Sequence, residues 1–525
     1  MKRTHLVLTA LVVVSLVALP NAALAQERPK LELSLEEVVK RALENNVDVA
    51  VERFSPESAF ESVRAAEGAY DFNTSAALSL GSRDTPQTSV FTGGTTVTTD
   101  TSVWNFGASQ LLKTGGLLSL TFNNRKEDTN NVFSTFNPLY NSALTFNLTQ
   151  PLLRNFKVDA SRQQLRVSKK NKEISDVSFT QTVLNTVANA KQRYNELIYA
   201  IDNLDAARKS LSLARKLLEE NQIRVKVGTM APLDVIEAES EAAARDVSVI
   251  TAEAAVVDAE DNLKRTIFPK TDSAMWALGI TPTERPSADP FPVDELGAIA
   301  RAIETRTDIV QARLSLESSN YTLEYANSLS KPGLDLVASY GGAGVGGTQR
   351  LAGGEPLPEP IPGGYGDATS AVFGFDYPNW SVGVNFAYPL QNRRAKGDQA
   401  RARIARDQAL ASLVRLEMTI ATEVRSAARA VVTNYKRIES TRAARILQER
   451  RLDAEEKKFA AGMSTNFLVT QAQRDLRTAE VAELRAIADY RNSVINFERV
   501  QEAGAGGGGG GLTVDIGGGV TRVVN

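Results

Sequence analysis

Residues 183–225 read VLNTVANAKQRYNELIYAIDNLDAARKSLSLARKLLEENQIRV, and their spacing decides the fold. Apolar side chains fall at Val183, Val187, Ala190, Tyr194, Leu197, Ile201 and Leu204, then at Leu211, Leu218 and Val225. These steps of four, three and seven mark the seam of a helix packed lengthwise against others. Neither Gly nor Pro occurs from Phe156 to Val227, so nothing breaks the helix before Gly228. At about 1.5 Å per residue such a helix is a rod of roughly 100 Å, about three times the thickness of a bilayer's hydrocarbon core.

After Gly228-Thr229-Met230-Ala231-Pro232, a second window free of Gly and Pro runs from Leu233 to Phe268. The turn is short, so the two helices are expected antiparallel. Upstream, a helix is expected from Leu33 to about Gly68, with Ser34 as N-cap and Glu37 at the capping-box spacing. Then the period changes to two. Phe72, Thr74, Ala76, Leu78 and Leu80 alternate with polar or small residues, as do Trp104, Phe106 and Ala108, then Leu118, Leu120 and Phe122, then Leu144, Phe146 and Leu148. Residues 84–100 and 123–141 read as polar loops, with a tight turn at Lys113-Thr114-Gly115-Gly116.

From Pro292 the pattern starts again. Ala42-Leu43-Glu44 and Asp48 align with Ala302-Ile303-Glu304 and Asp308 at an offset of 260, Pro151-Leu152 with Pro389-Leu390 at 238, and Gly228 with Gly462 at 234. A strand is expected from Pro332, a Gly/Pro-rich loop over residues 341–364, and a clean alternation at Trp380, Val382, Val384, Phe386 and Tyr388. A long helix over 398–461 and a last one from about Thr465 to Glu502 complete the copy. The chain thus divides into a signal peptide (1–25), a first repeat (26–290, tip turn at 228–232), a second repeat (291–502, tip turn at 461–465) and a Gly-rich tail (503–525) expected to be disordered. The Pro/Thr/Ser-rich connector 269–293 carries no readable role.

Composition excludes much. Lys2 and Arg3, an apolar run from Leu6 to Leu19 and Ala23-Leu24-Ala25 read as a cleaved export signal. Net charge is −2 with no concentrated basic face, against nucleic acid as a partner. Cysteine is absent and the only histidine, His5, lies in the signal. The chain without that signal lacks the commonest nucleophile, general base and transition-metal ligands, so no catalytic, cofactor-binding or metal-binding residue is expected and the protein reads as a non-enzyme. With only five Met, a soft-metal site is disfavoured as well.

Strands with one apolar face, polar loops and aromatics near their ends have the character of an outer-membrane barrel. One chain offers four to six of them, and an open edge cannot lie in lipid. Copies must therefore close the barrel. Three chains of four strands give twelve and three of six give eighteen; the twofold repeat favours four. The fold expected is a coiled-coil helical barrel joined to a trimeric transmembrane β-barrel, internally duplicated.

In this order the features resemble the TolC family of trimeric outer-membrane efflux channels. The resemblance spans Leu33 to about Glu502 and rests on the duplication, on Gln150-Pro151-Leu152-Leu153-Arg154 at a strand-to-helix junction, and on the turns Val227-Gly228-Thr229 and Ala461-Gly462-Met463. It implies a homotrimer in outer-membrane lipid with its helical part in the periplasm. Such a trimer is a passive conduit of a tripartite efflux or type I secretion system, reached through a periplasmic adaptor and driven by an inner-membrane pump. On that resemblance the adaptor-docking tips are Arg224, Lys226, Gly228, Thr229, Lys458, Gly462 and Met463. The family often rings its closed entrance with carboxylates after the second turn; residues 465–471 contain none, which leaves Asp234, Phe467 and Leu468 as gate candidates. Trp104, Trp380 and Tyr388 are candidate membrane-interface aromatics. The alternative from another class is a structural coiled-coil surface protein or adhesin stalk, which would want one unbroken heptad array rather than duplicated hairpins.

Overall fold

The structure, a computed structural model, describes residues 29–86, 95–268, 273–285 and 287–504. The expected signal peptide and the expected tail beyond Gly504 lie outside the described residues. In chain order the first half holds β1 (Lys30–Leu33), α1 (Leu35–Asn45), α2 (Val47–Glu52), α3 (Phe54–Glu67), β2 (Asn73–Pro86), β3 (Thr96–Leu111), β4 (Leu117–Thr129) and β5 (Phe136–Pro151). There follow α4 (Ala160–Lys226), α5 (Pro232–Ile267), α6 (Ser273–Trp276) and β6 (Gly279–Pro282). The second half holds α7 (Glu295–Thr305), α8 (Thr307–Leu329), β7 (Gly333–Ala352), β8 (Glu355–Ile361), α9 (Tyr365–Gly374), β9 (Tyr377–Ala387), α10 (Arg393–Ala460) and α11 (Asn466–Glu502).

The two rods are present: α4 has 67 residues and α10 has 68. Asp159 caps α4 by accepting from the Arg162 N–H at 2.7 Å, and Arg224 and Lys226 in the last turn suit the negative end of the helix dipole. Ala190, Tyr194, Leu197, Leu204 and Leu211 of the predicted seam are buried, and the stripe continues through Ala207, Ala214, Leu217 and Asn221. The shorter helices line the rods. Both α1–α3 and α5 pack on α4, both α7–α8 and α11 on α10, and α11 and α8 also pack on α4.

The first helix is not one helix. Its expected start is β1, and Asn46 ends α1 and caps α2 by accepting from the Asp48 and Val49 N–H groups at 2.9 and 3.2 Å. A second break falls at Arg53 because Pro56, in the first turn of α3, has no N–H to continue the ladder. The corresponding residues of α8 include no proline and run unbroken. Ser34 does cap α1, accepting from the Glu37 N–H at 3.2 Å, but the Glu37 carboxylate turns to Arg41 at 2.7 Å instead of closing the box. Residues 260 apart share tasks. Asp294 caps α7 as Ser34 caps α1, and Arg306 donates to the Val500 carbonyl where Asn46 donates to Thr266, 234 residues earlier. The connector also gains a role: β6 pairs in parallel with β1, and the Tyr194 hydroxyl sits 3.2 Å from the Leu33 carbonyl and 3.1 Å from that of Glu284, tying both strands to α4.

Among the described residues, one seven-stranded sheet takes strands from both halves in the order β2-β3-β4-β5-β7, with β8 and β9 sharing the far edge of β7. Every neighbouring pair is antiparallel. Six strands therefore lie abreast, not four, because the hairpin turned at Gly115-Gly116 belongs to the sheet. The expected polar loops at 96–100, 123–129 and 136–141 are strand, as is most of 341–361. Register sorts the side chains: Leu78 faces Trp104, Phe106 faces Phe122, Leu120 faces Phe146, Phe146 faces Tyr340 and Tyr340 faces Trp380, one apolar band across all six strands. On the reverse, Ala77 faces Asn105, Thr121 faces Thr145 and Ser339 faces Ser381, a surface of small polar groups. The short α9, absent from the sequence reading, packs on the apolar side against β7 and β5.

Candidate functional site

At the far end of the rods from the sheet, two turns of the same build close the helix pairs. In the first, Gly228 has φ +80°, its N–H donates to the Val225 carbonyl at 3.0 Å, and the Thr229 N–H donates to Arg224 at 2.9 Å. In the second, Gly462 has φ +75°, its N–H donates to Phe459 at 3.1 Å, and the Met463 N–H donates to Lys458 at 2.8 Å. This nested pair of bonds around a left-handed residue satisfies the last carbonyls of α4 and α10, and glycine adopts it without a Cβ penalty.

The candidate tip residues divide by what they touch. Arg224 is engaged between the two turns, donating to the Phe459 carbonyl at 3.2 Å with its guanidinium 4.4 Å above the Phe459 ring. Lys458 pairs with Glu455 at 2.7 Å, and Glu455 also accepts from the Ser464 hydroxyl at 2.8 Å. Lys226, Thr229 and Met463 are exposed beside the two glycines. Phe467 and Leu468 are exposed in the first turn of α11, and Leu233 and Ile236 answer them on α5. Ile236 and Phe467 flank a cavity of about 280 Å³ whose floor includes Asn466, Glu241 and Arg474; Asp234 does not line it. The carbonyl of Asp234 accepts from Asn466 Nδ2 at 3.3 Å.

Five residues that the sequence reading passed over hold this end together. Asn221 and Asn466, both buried, join α4 to α11 at 2.8 Å. Asn221 falls three residues after Leu218 on the heptad seam, the signal that could have found it. Glu241 of α5, also buried, accepts from Arg245 Nε at 2.8 Å and from Arg474 of α11 at 3.0 Å. Further along, the contact between α4 and α11 stays polar, through Asn203–Arg477 at 2.7 Å, Glu196–Arg485 at 2.9 Å and Asn195–Asn492 at 3.3 Å.

Burial pushes the Glu241 carboxyl up, but the Arg474 and Arg245 guanidiniums outweigh burial and hold it below the usual carboxylate range. A depressed native pKa means that the tie stabilises the fold at neutral pH and is lost as pH falls through that depressed value. Glu241→Gln should therefore lower stability at pH 7 by on the order of 1 kcal/mol, a modest figure because the Arg474 side chain is half exposed. Denaturant midpoints of the detergent-solubilised protein should converge with those of the wild type as pH falls below the usual carboxylate range. A gap that does not narrow toward acid would show that the ion pair contributes no stability of this kind.

Among the described residues, no group of three His, Cys, Asp or Glu side chains is placed to hold a metal ion, and no helix is long and apolar enough to cross a membrane. The sequence pattern of the family described as Outer membrane efflux protein matches residues 38–267 and 298–500. The chain belongs to that family. Among solved structures, the CmeC outer membrane channel of Campylobacter jejuni is similar at 16% identity and a TM-score of 0.62, covering 89% of this chain and 85% of that one. The outer-membrane channel OprN is similar at 17% identity and 0.64, covering 90% of each. VceC of Vibrio cholerae is similar at 14% identity and 0.61, covering 89% of this chain and 96% of that one. At such identities these likenesses speak to the fold. No match was found among curated proteins. As an outer membrane efflux protein, the chain is a passive channel component of a tripartite efflux system, located in the outer membrane, and not an enzyme.

Proposed function

We propose that three copies of this chain close their sheets edge to edge into one transmembrane barrel, continued by the helices through the periplasm to tips that receive an adaptor protein. The observation that carries this reading is the pair of unpaired edges. Every residue of β2 and of β9 is exposed, β2 leaves the helical end and β9 returns to it, so β2 of one copy meets β9 of the next antiparallel. An unpaired edge is untenable in hydrocarbon, and six strands abreast in each of three copies give a barrel of eighteen.

The helices support the same closure. Within the chain α8 lies between α10 and α4, whereas α3 flanks α4 alone and, with α2, leaves Val47, Val51, Phe54 and Phe60 exposed. The first half of α10 leaves Ile404, Leu410, Val414 and Met418 exposed. Setting α3 of one copy against α10 of the next covers both faces and repeats the place of α8, as a tandem duplication of 26–290 and 291–502 would have it. A 67-residue α4 then carries the tube roughly 100 Å inward. Lys226, Gly228, Thr229, Gly462 and Met463 form the docking tip, with Arg224 and Lys458 stiffening it from behind. Phe467 and Leu468 with Asp234 narrow the entrance, and Trp104 and Trp380 sit on the lipid-facing band with Tyr388 just below it.

Oligomers extracted from outer membrane and added to a planar bilayer should give stepwise ohmic conductance. A chain that purifies as a detergent-free, water-soluble monomer and gives no steps would remove the proposal.

A further inference from the structure

The apolar band of the sheet carries one element that an ordinary barrel wall lacks. The ten residues of α9 lie across it: Tyr365 packs edge-on to Trp104 with ring centres 5.2 Å apart, Phe373 meets Phe122 at 5.8 Å, and Phe375, just past the end of the helix, stacks on Tyr340 at 5.5 Å. The band is shaped to take it. On β7 the apolar side is glycine at 342, 344 and 346, and a Cβ at Gly344 or Gly346 would overlap the backbone of α9 at Ala368 or Gly364. Beneath the helix, Asn124 accepts from the Tyr365 hydroxyl and from Ser142 Oγ, each at 2.9 Å, and donates to the Trp104 carbonyl at 3.1 Å. Asn124 is 1% exposed and Ser142 2%, so two polar side chains on the apolar side survive there only because α9 covers them.

Polarity also runs along the helix. Its N-terminal end, beside Gly346, carries the exposed Asp367, which accepts from the Gly364 N–H at 2.7 Å. Its C-terminal end, beside Gly342, carries the exposed Phe373 and leads into the exposed Tyr377 and Trp380. Gly342 stands nine residues above the start of β7, and a tilted strand crosses the hydrocarbon in about 9–11 residues.

We propose that α9 is a membrane-interface collar: on the lipid-facing side of the wall it straddles the outer boundary of the bilayer, its Asp367 end among headgroups and its Phe373 end among acyl chains. This rests on the barrel reading above, which makes the apolar band the lipid face. The partner is the lipid surface itself. A helix there fixes the height of the channel in the bilayer by two opposed preferences, the aromatic end resisting exposure to water and the carboxylate end resisting entry into hydrocarbon.

The chain has no cysteine, so single spin labels are readily placed. Labels at Phe373→Cys, Asp367→Cys, Val382→Cys and Ser381→Cys, in vesicle-reconstituted protein, would be compared for collision with lipid-soluble oxygen and with a water-soluble nickel chelate. Labels at 373 and 382 should favour oxygen several-fold, and those at 367 and 381 should favour nickel. If 373 favours nickel while 382 still favours oxygen, α9 faces water and the collar is wrong although the wall stands. If 382 also favours nickel, the wall reading itself fails. A label at 373 immobilised and shielded from both reagents would mean that protein, not lipid, covers the helix, and would equally overturn the proposal.

Discussion

Oxidation of a variant carrying cysteines at 383 and at one of 75, 77 or 79 should convert most of the protein into covalent trimers that survive boiling in detergent. Gly383 lies on the small, polar side of β9, and Ser75, Ala77 and Ser79 lie on the same side of β2. Two strands that pair antiparallel across a seam bring such residues to a Cβ separation of about 4.5–5.5 Å in the closest pairs, near enough for a disulfide after small adjustment. The natural chain has no cysteine to compete. Because side chains alternate, the position that links fastest among the three reads out the register, and Leu78→Cys, on the opposite face, should fail with any partner at 383. Should none of the three link while the protein remains folded in the membrane, β2 and β9 do not meet and the barrel closes in some other way.

What the sequence disclosed followed from where burial is one-sided. The seam of α4 was legible because Ala190, Tyr194 and Leu197 face one partner along the rod, and the lower strands because an apolar band on one side and a polar surface on the other impose a period of two. Above the apolar band that constraint disappears, so Thr96-Val97-Thr98-Thr99-Asp100 and residues 123–129 looked like loop although they are paired strand. The glycines of β7 misled for a different reason: they mark a seat for α9, and a ten-residue helix in which Gly, Ala and Ser take five places has too little pattern to announce itself. At the tips the glycines were readable as helix stops. The engagement of Arg224 by Phe459, 235 positions away, was not, since cation and ring meet only when α4 and α10 end side by side.

Valine at Gly228 or Gly462 should abolish efflux while leaving assembled protein in the outer membrane. Both positions hold a positive φ, and for a β-branched residue that conformation costs roughly 1–2 kcal/mol or more. The cost is local because a Cβ at either glycine meets nothing within 4 Å, so no core of the chain is overpacked. Relief comes from unwinding the last turn, which gives up the Thr229-to-Arg224 and Gly228-to-Val225 bonds in one case and the Met463-to-Lys458 and Gly462-to-Phe459 bonds in the other. In the first case Arg224 also loses its fixed place over Phe459, so one substitution disturbs both tips. Alanine, whose penalty at positive φ is smaller, should give an intermediate phenotype at each site. Cells carrying Gly228→Val should fall to the drug susceptibility of a deletion strain, while cross-linked or native-gel trimers stay at wild-type abundance. If efflux persists at wild-type level with valine at both positions, the tips do not serve as the docking surface. Trimers that vanish instead would show that the turns act in assembly, since a strained exposed turn of this size is too small a cost to unfold rods held by the buried seams of α4 and α10.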